Sequence, residues 1–367
     1  MGMISEIIYI PEAGTHKTRA VRLKKALANC DYRWIKKGAV IGIKLHWGEP
    51  GNNCFLPPDY ARVVAEWLIG REAKPFIFDT TTLYRGARRT ALDSLFTAHK
   101  HGFDFANTGA PVVIADGFYG RDTISIPTPK NAKHLKKVQV ASLVNHIDGL
   151  INLSHFKGHI ASGFGGAMKN ISMGFASRAT KQVIHANVSP KLKREKCTSC
   201  GTCIEVCPES AIKIIADYPE VDRKKCVGCA ECIAMCPSYA LQIQWDSTPT
   251  EFCEKLVESA GAIMERLTNK ALHINVLANI AKECDCMPIE MEPLVADIGI
   301  LIGLDPVAID VASCDLVNRA SRPGSKKSNA NKPLLDEIYP HLPWRHVLDY
   351  AEEIGIGTKN YRLVNIP

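Results

Sequence analysis

The sequence predicts an α/β fold, a largely parallel sheet flanked by helices, interrupted by a small cysteine-rich insert. Three observations carry this. Short apolar runs alternate with stretches of helical spacing along the chain, which is the pattern of a sheet built from β–α units. Eight of the fourteen cysteines fall in two runs of identical spacing between residues 190 and 246. Apolar residues make up 46% of the 367 and charged ones 23%, the balance of a chain that buries a sizeable core.

The strands are read in order as IIYI (7–10), AVIGIKL (39–45), PFIFD (75–79), PVVIAD (111–116), GLINLS (149–154), HINVLANI (273–280) and DIGILIG (297–303). Between the second and third, Val63, Val64, Trp67 and Leu68 share one stripe of a helix spanning Pro58 to Ile69. After the insert, Thr248, Pro249 and Glu251 have the order of an N-cap, a first-turn proline and a capping box. The helix they open carries Phe252, Leu256, Val257, Ala260, Ile263 and Leu267 at helical spacing. Asp305 before Pro306 reads as another N-cap. The organisation expected is thus one discontinuous α/β domain, 1–189 and 247–367, around an insert at 190–246.

Within the insert, Cys197, Cys200, Cys203 and Cys207-Pro208 have the spacing C-x2-C-x2-C-x3-C-P. Cys226, Cys229, Cys232 and Cys236-Pro237 repeat it, and ESAIKI after the first run answers SYALQI after the second. This is the pattern of two-cluster bacterial ferredoxins, in which the fourth cysteine of each run ligates the other cluster. Two [4Fe–4S] clusters are expected, one on Cys197, Cys200, Cys203 and Cys236, the other on Cys226, Cys229, Cys232 and Cys207. Zinc sites use pairs of cysteines rather than a triplet plus one, twice over. With every iron held by a cysteine, such clusters relay electrons and leave substrate chemistry to the α/β domain.

The formal charge of +7 falls to about +3 once each cluster contributes roughly −2. That is too mild for a nucleic-acid binder. The densest basic run, PKNAKHLKK at 129–137, reads as a solvated face, with docking of an acidic redox partner as its functional alternative. No run of eighteen apolar residues suggests a membrane span. The opening MGMISEIIYI has no secretory pattern, so a cytoplasmic location is expected, where thiols stay reduced.

The segments following the strands are rich in chemistry, and α/β sheets bind ligands beyond the carboxyl ends of their strands. HWGEPGNN supplies His46, SHFKGH supplies His155, Lys157 and His159, and DPVAID supplies Asp310. Asp79 and the three threonines behind it read as an ordinary cap. The stretch from Gly158 to Lys169 fails both nucleotide tests. Phe164 and Gly165 stand where a Walker motif needs Lys and Ser/Thr, and Met168 where a Rossmann fingerprint needs Gly. Its amides could still cradle an anion with Lys169.

Cys284 and Cys286 in AKECDCMPIE are the remaining pair. In an extended segment residues i and i+2 share a face, so both thiols point one way. Three readings stay open: a third metal site with His46 and His155, of unknown metal; a redox dithiol; and structural thiols. Cys30, Cys54, Cys253 and Cys314 read as small apolar residues.

KLHWGE (44–49), SHFKGH (154–159), GFGGAMKN (163–170), the two cysteine runs, CDC and DIGIL…DPVAID occur here in that order, and YAEEIGIG (350–357) closes the series. The chain thereby resembles, over nearly its whole length, the ferredoxin-containing branch of the family called domain of unknown function 362. The resemblance implies an iron–sulfur cluster-binding protein of an anaerobe and no settled reaction. The first functional reading is an oxidoreductase: electrons pass from the clusters to Cys284 and Cys286, Lys157 and Lys169 hold an anionic substrate, and a histidine or Asp310 moves protons. Two alternatives remain, a non-catalytic carrier docking to a partner oxidoreductase and a metal- or cluster-handling accessory protein.

Overall fold

The computed structural model describes residues 4–12, 14–30, 32–84, 86–185, 190–226, 228, 230–242, 247–268, 270–320 and 332–365. The expected insert junctions fall on 186–189 and 243–246, outside the described residues, as does Cys229.

Eight strands form the main sheet, numbered in chain order: β1 (Ser5–Pro11), β2 (Val40–Lys44), β3 (Lys74–Asp79), β4 (Val112–Ile114), β5 (Gly149–His155), β6 (Ala271–Leu277), β7 (Gly299–Gly303) and β8 (Tyr361–Asn365). Their order is β8-β1-β7-β6-β5-β2-β3-β4. All neighbours are parallel except β7, which runs against both β1 and β6. All seven expected strands are present. β8 is an addition: half of it is exposed, and Arg362 and Asn365 give it no apolar alternation to read.

Both faces of the sheet are covered. Ile41, Ile43, Ile151, Leu153, Leu272 and Ile274 face helices α1 (His16–Ala28) and α2 (Pro58–Ile69). The other face packs on α3 (Ala167–Phe175), α5 (Pro249–Arg266), α6 (Pro306–Arg319) and α7 (Trp344–Glu353), with α4 (Arg178–His185) beside them. Here the strand residues are polar in the middle: Lys44 pairs in register with Asn152, and Asn152 with His273. Thr248 closes the expected capping box of α5, and Asp305 accepts from the amides of Val307 (2.8 Å) and Ala308 (3.0 Å) to cap α6. Cys30, Cys54, Cys253 and Cys314 are all buried. The basic run is solvated at its lysines, while its backbone is stapled to α5: the amides of Lys133, His134 and Leu135 donate to Glu258. No described helix is long and apolar enough to cross a membrane.

The cysteine-rich segment repeats its geometry at an offset of twenty-nine residues. The short helices Thr202–Glu205 and Glu231–Met235 correspond. So do the left-handed residues Ser199 and Gly228, Gly201 and Ala230, and Ser210 and Tyr239. Strand Lys191–Leu192 pairs with Leu241–Gln242, and Ile212–Ile215 with Tyr218–Val221. Each half thus completes a ladder of the other.

Candidate functional site

The parallel strands β2, β3, β5 and β6 end along one edge, and the loops leaving them enclose a cleft of about 780 Å³. β2 delivers Lys44 and then His46; β3 delivers Asp79 and Thr80; the turn after β5 brings Lys157 and His159. Lys169 comes from α3, Lys181 and His185 from α4, and Tyr84 and Arg88 from the loop after β3. Cys284 and Cys286 arrive on the long loop 278–298 between β6 and β7. That loop is fixed by backbone contact: the Gly158 amide donates to the Ala281 carbonyl at 2.9 Å, and a Cβ on Gly158 would lie 2.1 Å from the Lys282 carbonyl oxygen. Only glycine permits this approach.

Cys284 and Cys286 both line the cleft, but on a turn rather than the extended segment expected: the Met287 amide donates to the Cys284 carbonyl at 2.9 Å. Lys169 Nζ donates to Cys284 Sγ at 3.3 Å, and the Cys286 amide donates to the same sulfur at 3.4 Å. Asp285 points the other way and is buried against His155 Nδ1 and Lys157 Nζ, both at 2.9 Å. The two thiols are hydrogen-bonded to one another. The hydrogen bond from Cys286, helped by Lys169 and Lys157, holds the Cys284 thiol well below its ordinary range, and the same bond pushes Cys286 well above it. Burial opposes ionisation of Asp285, yet His155 and Lys157 outweigh it and hold that carboxyl far below its usual value.

Ring tautomers decide what the histidines can do. His46 Nδ1 accepts the Gly48 amide at 2.9 Å, and His159 Nδ1 accepts the amides of Ser162 (3.2 Å) and Ala161 (3.4 Å). A neutral ring accepting at Nδ1 carries its proton on Nε2. Burial and the surrounding cations hold both rings neutral, with pKa values well below the ordinary range. Both therefore line the cleft as N–H donors. Ligating histidines instead donate from the nitrogen that does not touch the metal. His155 is further removed: its Nδ1 is taken by Asp285 and its Nε2 by the Ala278 carbonyl at 2.9 Å. The set Cys284, Cys286, His46 and His155 consequently does not suit a metal ion, and among the described residues no three His, Cys, Asp or Glu side chains converge to hold one.

Asp310 lies behind the cleft rather than in it. Gly166 gives α3 no side-chain cap, and Asp310 supplies one from α6, accepting from the amides of Ala167 (2.7 Å) and Met168 (3.0 Å) and from Asn275 (2.8 Å). Burial raises its pKa to about 6 against these bonds. It orients the Gly-rich turn and Lys169, and does not face the cleft as a proton carrier.

Several lining residues escaped the sequence reading. Asp79, expected only to cap, pairs with Lys44 at 3.1 Å and Arg88 at 3.6 Å. Lys181 is buried, and its pKa falls to about 8. His185 donates through Nδ1 to the Lys181 carbonyl at 2.7 Å, which leaves Nε2 the unprotonated nitrogen; burial lowers its pKa to about 4. A lysine inside the apolar run AVIGIKL was the one local signal of this buried ion network.

In the cysteine-rich segment, Cys197, Cys200, Cys203 and Cys236 line one cavity of about 310 Å³. Cys207, Cys226 and Cys232 line another of about 410 Å³. The amide of Ala211 donates to Cys207 Sγ and that of Ala240 to Cys236 Sγ, both at 3.2 Å, again twenty-nine residues apart. Leu83 packs with Cys203, Cys232 and Cys236 and also lines the cleft. Gln182, next to Lys181 on α4, is buried, lines the second cavity and has no partner among the described residues for either atom of its amide.

Among solved structures, the lactate racemase apoprotein from Thermoanaerobacterium thermosaccharolyticum is similar at 15% identity and a TM-score of 0.39, over 75% of this chain. The match spans about half of that protein, 51% of its length. No curated protein matches the chain. The profile of one family matches residues 41–315, from β2 to the middle of α6, and on that match the chain belongs to the family described as domain of unknown function DUF362.

Proposed function

We propose that the protein is an iron–sulfur oxidoreductase in which two [4Fe–4S] clusters feed a dithiol at the floor of an anion-binding cleft. One observation carries the reading: each cavity of the cysteine-rich segment gathers three cysteines of one run, or those of them described, with the fourth of the other run. The residues fit the group. Four thiolates around one cavity are the ligand set that a cubane takes. Backbone amides already turned to Cys207 and Cys236 are the donors such thiolates need, and the unpartnered Gln182 amide is a further donor at the second cavity.

Bound there, the clusters supply one-electron transfer. The rest falls to the chain's own side chains. Leu83 is the packed contact between cysteine-rich segment and cleft. Lys169 stabilises the Cys284 thiolate; Cys286 keeps its proton. Oxidation of this pair to a disulfide releases two electrons to the substrate and the Cys286 proton to the cleft. Lys181 and the Nε2–H groups of His46 and His159 orient an anionic, electron-accepting substrate. That Cys284 and Cys286 line a cleft favours this reading over a carrier, which needs no pocket beside its thiols.

Anaerobic purification with iron and sulfide analysis and EPR tests it, on wild type, Cys236→Ala and the Cys284→Ser/Cys286→Ser double variant. Wild type and double variant should both contain iron and sulfide for two cubanes, and Cys236→Ala should lose one cluster. Zinc in place of iron in the wild type would refute the cluster reading. A metal lost only from the double variant would refute the dithiol.

A further inference from the structure

The cleft does not end at its polar residues. Tyr84, His159, His185 and Cys286 are shared with a neighbouring groove of about 1720 Å³ whose remaining walls are largely apolar: Ile160, Pro249, Phe252, Met287, Pro288 and Leu342. Ile160 is 65% exposed and Met287 37% exposed, so apolar side chains are left bare along its rim. Contiguous bare apolar surface beside a polar cleft marks a place that something apolar covers.

Charge matching fixes the other end of that ligand. Four lining cations have anionic partners within the protein: Lys44 with Asp79 (3.1 Å), Arg88 with Glu49 (2.7 Å), Lys157 with Asp285 (2.9 Å) and Lys169 with the Cys284 sulfur (3.3 Å). Lys181 is the fifth. Its ammonium is held by the Thr80 hydroxyl at 2.7 Å and the Thr81 carbonyl at 2.5 Å, with no carboxylate of the described residues at ion-pair distance. Asp116 acts on it only from further off, being bonded to the Thr81 amide and hydroxyl. One buried ammonium without a close counter-ion matches one negative charge.

We propose that the cleft takes an amphipathic monoanion, a carboxylate held at Lys181 with an alkyl or aryl body that passes Cys286 into the groove. The substrate class follows from the lining: a buried ammonium in the cleft, Cys286 common to cleft and groove, and apolar walls in the groove. An electron-accepting bond just beyond the carboxylate would then lie against Cys286. This rests on the anion-binding reading of the cleft proposed above.

The test is isothermal titration of the anaerobically purified, iron-loaded protein with acetate, butyrate, hexanoate, octanoate and uncharged hexanamide. Affinity should rise about fourfold per added methylene, the value for one buried CH2, and hexanamide should bind far more weakly than hexanoate. Ile160→Asp and Met287→Asp should abolish the gain with length while keeping acetate affinity. Lys181→Gln should lose all the carboxylates at unchanged iron content. If acetate binds and length adds nothing, or if octanoate binds Ile160→Asp as tightly as wild type, the amphipathic ligand is wrong and the anion site stands. If no carboxylate binds to fully iron-loaded protein, the anion site falls, and this proposal with it.

Discussion

The neutral histidines make the domain sensitive to mild acid, by an amount that can be worked out. His273 is fully buried on β6; Asn152 donates to its Nδ1 at 3.1 Å, so Nε2 carries the proton and has no partner. Burial drives its pKa down to about 3. An unfolded histidine titrates near 6.5, so below that pH the unfolded chain binds a proton that the folded one refuses, and stability falls as pH falls. At pH 5 the loss from His273 comes to about 2 kcal/mol. His185, lowered to about 4, would lose as much if sealed from solvent; because it lines the cleft, about 1 kcal/mol is the fairer figure. Asp310 works in the opposite sense. Its folded pKa of about 6 is raised, so protonation between pH 7 and 5 returns roughly 1 kcal/mol. These three groups together give a loss of about 2 kcal/mol, and His46 and His159, also held neutral by burial, add to it; that is a large share of the 5–15 kcal/mol that holds a typical domain. Guanidinium unfolding, followed by fluorescence of the buried Trp47, Trp67 and Trp344, measures it at pH 7.5 and pH 5. His273→Gln should reduce the fall between the two pH values by about 2 kcal/mol, whatever it does to stability at neutral pH. An unchanged midpoint at pH 5, or an undiminished fall in His273→Gln, would refute the buried neutral ring.

Two further outcomes test the site and its link to the cysteine-rich segment. Lys169→Gln removes the ammonium beside Cys284, and the pH at which iodoacetamide begins to alkylate Cys284, mapped by peptide mass spectrometry, should move up; an unmoved profile would mean that Lys169 does not hold the thiolate. Gln182→Leu replaces an amide without protein partners at nearly constant volume, so stability should be kept. On the proposed cluster assignment, an EPR-monitored redox titration should show the cluster of the second cavity shifted to lower potential, since the proposed Gln182 donor is gone, and equal shifts in both clusters or in neither would disprove the assignment.

What the sequence disclosed and what it hid divide along physical lines. Strand periods and caps are local, and they placed the sheet, Thr248 and Asp305. The direction of β7 was not legible, because it depends on how the loop 278–298 returns, and β8 is an edge strand with no apolar alternation. The buried ions Lys44, Arg88 and Asp79 were hidden for another reason: each is acceptable in the interior only through partners far away in sequence. The most consequential miss concerned orientation rather than residue type. Reading Cys284 and Cys286 as facing one way also commits Asp285 to the other side, and it is Asp285 that takes His155 out of the cleft. His46 and His159 were judged by their ability to bind metal, whereas the amides two and three residues further on decide which ring nitrogen keeps its proton. That signal was local after all. His46-Trp47-Gly48 and His159-Ile160-Ala161-Ser162 are tight turns in which a backbone N–H reaches back to Nδ1, and such a turn converts a would-be ligand into a hydrogen-bond donor. Two such donors, an ammonium without a close counter-ion among the described residues and a neighbouring pair of thiols are the features on which the proposed anion site rests.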